Sequence, residues 1–228
     1  MTMMHTRRRF LQTMGLLLIL PACQKKQRFT RLPKGSKVVA LGDSLTVGYG
    51  AKQDYPALLE EKTGWRVINA GVNGDTSSDV LARLDDVIAL KPQLVLLGVG
   101  GNDVLQRVPA STTSDNLTAI IEQLLAEDIA VVLIAEPHLS ASALLGRARD
   151  NPIYKTVASS TGVPLFADEW SKILSDDALK SDQIHANEQG YAQFAQHLYQ
   201  FLQELGYATW FLARIVNICL LYTSDAAD

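Results

Sequence analysis

Apolar side chains gather in five short runs of four to six residues, rich in β-branched residues and leucine: Lys37 to Leu41, Arg66 to Asn69, Leu94 to Gly98, Ala130 to Ala135 and Val163 to Phe166. Runs of this length, bounded by glycine, proline or polar residues, predict buried strands. Between them the spacing of apolar positions lengthens to that of amphipathic helices, near Tyr55 to Lys62, Ser78 to Leu90, Thr113 to Glu127, Pro152 to Ser160 and Glu188 to Leu205. Strand and helix in alternation predict an α/β fold with a parallel sheet covered on both faces. No internal repeat or low-complexity segment interrupts the pattern.

The two ends break it. At the start, Arg7, Arg8 and Arg9 precede an apolar run from Met14 to Leu20 and then Pro21-Ala22-Cys23. That run is far short of the ~20 residues a membrane-spanning helix needs, so residues 1–22 are expected to be an export signal. Leu20-Pro21-Ala22-Cys23 resembles the lipobox of bacterial lipoproteins. The resemblance implies lipidation of Cys23, a tether over residues 23–36, and a membrane-anchored protein facing the periplasm, with the outer membrane favoured. A plain secretory signal is the alternative, and Sec and Tat export both remain open. At the other end, Cys219 to Asp228 resembles translated sequencing adapter, and residues 207–228 are placed outside the domain expected over 37–206.

Composition adds one exclusion. The 228 residues carry 21 basic and 24 acidic side chains, but Arg7, Arg8 and Arg9 belong to the removed segment, leaving 18 against 24 and a net charge of -6. A nucleic-acid partner is not expected of such a chain. The two cysteines, Cys23 and Cys219, imply no disulfide framework.

In a parallel sheet, ligands bind at the carboxyl ends of the strands. Three loops there are unusual: Gly42-Asp43-Ser44-Leu45, Gly71 to Thr76, and Gly98 to Asp103. None has the Gly-Lys-Ser/Thr of a phosphate-binding loop, and Asp103 stands where a dinucleotide fingerprint requires glycine or alanine. Ser44 also lacks the Gly-x-Ser-x-Gly elbow. Nucleophilic catalysis suits these residues better. A serine at a strand-to-helix turn is exposed, but it needs a base. Among His5, His138, His185 and His197, only His185 has a carboxylate three residues before it, Asp182. One turn places such a carboxylate against Nδ1 and leaves Nε2 for the serine. Gly74 can bring its N-H close to a substrate oxygen and Asn102 can offer an amide donor, as an oxyanion requires. Each has a plainer reading alone: Asp-x-x-His as a surface turn, Gly74 as a turn residue, Asn102 as a helix cap. Asp43 and Asp103 are assigned structural roles, and Asp75 with Thr76 is expected to begin the second helix.

Taken in order, Ser44, Gly74, Asn102 and His185 and the blocks around them resemble the SGNH/GDSL hydrolases from Lys37 to about Leu205. Asn69-Ala70-Gly71 to Ser77 and Leu81 to Leu84 are most similar to the bacterial acyl-CoA thioesterase, lysophospholipase and arylesterase group. The resemblance implies a flavodoxin-like three-layer α/β/α sandwich with a five-stranded, mainly parallel sheet. It further implies a serine esterase or thioesterase with catalytic Ser44, Asp182 and His185, and an oxyanion hole of Ser44, Gly74 and Asn102. The partner would be a small-molecule or lipid acyl ester, with no metal and no cofactor. A carbohydrate O-deacetylase and a non-catalytic envelope-binding lipoprotein are the alternatives. The family often has proline after its histidine; Ala186 here removes a restraint and is expected to loosen that loop. Leu139 to Arg149 is expected to line the substrate site.

Overall fold

In a computed structural model that describes residues 30–138 and 148–209, the five apolar runs form a five-stranded, wholly parallel sheet in the order β2-β1-β3-β4-β5. The strands are β1 (Lys37–Gly42), β2 (Arg66–Gly71), β3 (Leu94–Gly98), β4 (Ala130–Ile134) and β5 (Leu165–Phe166). The last is only two residues long, shorter than the run from Val163 predicts.

Alternate residues of one strand enter different cores. Val38 and Ala40 join Leu94, Leu96, Val132 and Ile134 on one face. Val39 and Leu41 join Val95, Leu97, Val131 and Leu133 on the other. All twelve are at most 1% exposed. Burial on both faces is why these strands read as continuous apolar runs and not as alternating ones. Each Leu or Val so buried contributes about 1.5–3 kcal/mol.

Helices α2 (Tyr55–Thr63), α8 (Glu169–Ser175) and α9 (Glu188–Glu204) cover the first face, and α3 (Ser77–Ala82), α4 (Leu84–Ala89), α6 (Ala110–Ala126) and α7 (Ile153–Thr161) cover the second. The segment expected as one helix over Ser78 to Leu90 is two, because Arg83 between α3 and α4 has ψ 15° instead of helical values. Two one-turn helices, α1 (Ser44–Val47) and α5 (Gly101–Leu105), follow β1 and β3 directly.

The strand order puts a switch point between β1 and β3, where the chain turns outward to β2 and then jumps back across. A doubly wound sheet forms its ligand crevice at such a point, outside the carboxyl ends of the strands. Gly42 is needed there sterically: a Cβ would stand 2.0 Å from Gly98 O and 2.4 Å from Thr46 Oγ1.

Contacts run past the expected limits of 37 and 206. The Leu32 N-H donates to Tyr207 O at 3.0 Å, the Trp65 indole N-H donates to Leu32 O, and Arg31 donates to Thr209 Oγ1. Tyr207 and Ala208 are buried. Cys23, residues 139–147 of the expected substrate loop and the terminal residues 210–228 lie outside the described residues. No helix among the described residues is long and apolar enough to cross a membrane.

Candidate active site

Ser44 opens α1. Asp43 caps that turn by accepting from the Leu45 N-H at 3.0 Å, and Gly48 closes it in the left-handed conformation with its N-H on Ser44 O. A one-turn helix held at both ends leaves the serine hydroxyl at the carboxyl edge of β1.

His185 comes to it from the other end of the chain. Its Nε2 lies 3.0 Å from Ser44 Oγ and its Nδ1 2.8 Å from Asp182 Oδ2. Asp182 Oδ1 also accepts the N-H groups of Ile184 and His185, both at 2.8 Å. Burial pushes the Asp182 carboxyl up, but the hydrogen bonds from His185 and from these N-H groups outweigh it and hold the group below its ordinary value. It therefore stays a carboxylate beside the imidazole.

The loop carrying His185 is tight despite Ala186. Ser181 N-H donates to His185 O at 3.0 Å and Ser181 Oγ to Ala186 O at 2.9 Å. Ala186 is fully buried, and Asn187 caps α9 through Gly190 N-H while its amide donates to Ala178 O and Lys180 O. Side-chain bonds replace the restraint that proline would have supplied. Tyr49, half-exposed, stands with its ring 4.5 Å from that of His185.

Gly74 has φ +86°, and a Cβ there would meet nothing within 4 Å. Glycine is required for the turn and not for room, a different reason from the close approach the sequence suggests. The N-H groups of Ser44 and Gly74 have no acceptor among the described residues. The Asn102 amide is engaged: it donates to Asp43 Oδ2 at 3.1 Å and to Asp75 O at 3.0 Å. Asn102 lies in the first turn of α5 and does not cap it; the cap position is Gly100.

The other acids divide the structural work. Asp103, buried, accepts from Ser77 N-H, Ser77 Oγ and Thr113 Oγ1, fastening α3 and α6 to α5. Thr76 caps α3 in a capping box with Asp79. Asp75 stands one residue before that cap, paired with Arg83 at 2.8 Å. The same guanidinium donates to Gly42 O and Ala70 O. His197, the rival histidine, is paired with Glu169 on α9 and α8, away from Ser44. The sequence gives no role to Glu136, a lone acid that follows β4 and lies beside Asp43; both are buried. A small recess of about 20 Å³ opens on Ser44 and Asn102, walled by Leu105, Pro137, Leu174 and Ile184.

Fold and site together define the class, an α/β/α ester hydrolase with a serine at the carboxyl edge of its sheet. Residues 40–193 match the GDSL-like lipase/acylhydrolase family, and the chain belongs to that family. It is 32% identical over 186 residues to thioesterase 1/protease 1/lysophospholipase L1 of Escherichia coli strain K12, covering 77% of this chain and 87% of the relative. It is 26% identical over 217 residues to an acetylxylan esterase of Geobacillus stearothermophilus, covering 78% and 97%. In fold it is similar to the esterase EstA of Pseudoalteromonas sp., with TM-score 0.64 and 24% identity over 74% of this chain and 97% of that one.

Proposed function

We propose that the chain hydrolyses acyl esters or thioesters through an acyl-enzyme formed on Ser44. The observation that carries the reading is the unbroken line from Asp182 Oδ2 to His185 Nδ1 and from His185 Nε2 to Ser44 Oγ. Asp182 holds the imidazole with Nδ1 protonated, so Nε2 is free to take the Ser44 proton as Oγ attacks the carbonyl carbon. The oxyanion is met by the N-H groups of Ser44 and Gly74, and by Asn102 once its amide turns part of its hydrogen bonding toward the substrate. His185 then gives its proton to the leaving alcohol or thiol. Water, deprotonated by the same nitrogen, releases the acid and restores Ser44.

The apolar walls Leu105, Leu174 and Ile184 favour acyl chains. O-Deacetylation of envelope carbohydrate is the second reading, favoured by the acetylxylan esterase relative. We further propose that Cys23 carries a lipid anchor that holds the enzyme on the periplasmic side of the envelope, from the Leu-Pro-Ala-Cys sequence ending at that residue.

A fluorophosphonate probe tests the nucleophile. The expected result is one adduct, located by mass spectrometry on Ser44 and lost in Ser44→Ala and His185→Ala. A folded wild type that takes no label defeats the reading in favour of a non-catalytic binding lipoprotein. p-Nitrophenyl esters of graded length, acyl-CoA and acetylated xylan then separate the substrate classes.

A further inference from the structure

Glu136 stands two residues beyond the end of β4, 1% exposed, behind the turn that carries Ser44. Its Oε2 accepts the Gly101 N-H at 2.7 Å, which fixes the first residue of α5 and therefore the base of Asn102. Its carboxyl lies beside that of Asp43, both within 4 Å of where a Cβ on Gly101 would stand. Asp43 in turn accepts from the Leu45 N-H on one oxygen and from the Asn102 amide on the other. The buried pair thus joins the ends of β1, β3 and β4 at one point.

Two carboxylates are both acceptors, so side by side in the core they can hydrogen-bond each other only when one carries a proton. Glu136 Oε1, buried, accepts from no N-H or O-H among the described residues. No Lys, Arg or His among the described residues pairs with either acid. The groups that face them are Asp75 and Asp103 and the phenols of Tyr55, Tyr154 and Tyr191. Arg83, which reaches Gly42 O nearby, is taken by Asp75. Burial pushes the Asp43 carboxyl up to about 7, and burial together with the Asp43 charge pushes Glu136 well above its ordinary value. The pair therefore keeps one proton at neutral pH.

We propose that Glu136 is a positioning residue for the reaction at Ser44: through Gly101 and through Asp43 it sets the Asn102 amide, the third donor of the oxyanion site. The inference rests on the proposed nucleophilic role of Ser44. While the pair holds its proton, Asp43 is a weak acceptor, and the Asn102 amide can turn toward an oxyanion. Once the proton is lost, Asp43 holds that amide with a full charge, and a second buried anion stands behind the developing oxyanion. Both effects slow acyl transfer.

The test compares full-length wild type, Glu136→Leu and Glu136→Gln by pH-dependent kcat and KM on p-nitrophenyl butyrate. Glutamine can accept from the Gly101 N-H and donate to Asp43 at every pH, so it stands in for the protonated acid. Expected are a ten- to hundredfold loss of kcat in Glu136→Leu with KM within threefold, and recovery of most of that loss in Glu136→Gln. A fall of kcat at alkaline pH is expected in wild type and is expected to vanish in Glu136→Gln. A folded Glu136→Leu with wild-type kcat overturns the proposal, and so does a Glu136→Gln that keeps the wild-type alkaline limb. The glutamine comparison decides alone if the leucine variant does not fold. Wild type without a fluorophosphonate adduct on Ser44 overturns the nucleophile reading and this inference with it; a labelled wild type whose variants behave identically overturns only the inference.

Discussion

One carboxylate, that of Asp182, holds both the ring and the backbone of His185: Oδ2 takes Nδ1 and Oδ1 takes the main-chain N-H, each at 2.8 Å. Ring and loop are therefore oriented together. Asp182→Asn keeps an oxygen for the backbone N-H groups but can turn its amide N-H toward Nδ1, which favours the tautomer with Nε2 protonated. We expect kcat on a p-nitrophenyl ester to fall about 10³- to 10⁴-fold, with the melting temperature nearly unchanged. Asp182→Ala, which frees the loop as well, should lose both activity and several degrees of melting temperature. Equal melting losses in the two variants would contradict the division.

Gly42 and Gly74 should respond differently to alanine. At Gly42 the new methyl would lie 2.0 Å from a backbone oxygen on the neighbouring strand, and neither strand can move without opening both cores. No folded protein is expected. At Gly74 the methyl meets open space and only the φ of +86° resists, at about 1 kcal/mol. Gly74→Ala should fold, melt a few degrees lower and lose at most about tenfold in kcat, because its N-H remains; deleting a donor outright costs about 10²- to 10³-fold. Circular dichroism and steady-state kinetics separate these outcomes.

Arg83 ties the ends of β1 and β2 to the loop that carries Gly74, through Gly42 O, Ala70 O and Asp75. Arg83→Ala takes a donor from two carbonyls, of which Gly42 O keeps the Val72 N-H, and leaves a mostly buried carboxylate unpaired. Urea unfolding should show a loss of about 2–4 kcal/mol. Arg83→Lys, a single point charge in place of a planar fork, should recover the ion pair but not both carbonyl bonds.

Much of this was legible before any coordinates. Strands buried on both faces announce themselves as apolar runs, and Ser44, Gly74 and Asn102 each follow a strand end, where a parallel sheet gathers its chemistry. The break at Arg83 was hidden because its apolar neighbours keep helical spacing through it. Helices α1 and α5 are single turns, too short for any periodicity to show. The double engagement of Asn102 depends on which oxygens approach from β1 and from the Gly74 loop, a tertiary fact. Glu136 sits directly beyond β4, so the strand-end rule does reach it, but a lone acid between alanine and proline has no pattern until Asp43 is seen beside it.

The buried pair also makes a claim about stability. An ordinary unfolded carboxyl loses its proton near pH 4, whereas in the folded chain Asp43 is pushed up to about 7 and Glu136 well above its usual value, burial being the first cause for both. Between those limits the folded state binds a proton that the unfolded state has released, so stability must fall as pH rises. It is greatest below about pH 4 as far as this pair is concerned, and it declines through pH 7 by about 1 kcal/mol per pH unit for each proton held. Other groups titrate in the same window, Asp150 among them, so the useful quantity is the difference between wild type and Glu136→Gln. Urea unfolding at pH 5, 6, 7 and 8 should show the variant gaining on wild type at each step upward, since it no longer has to take up that proton on folding. Parallel curves would mean that Glu136 is already ionised in the folded chain, and that the two carboxyls share no proton.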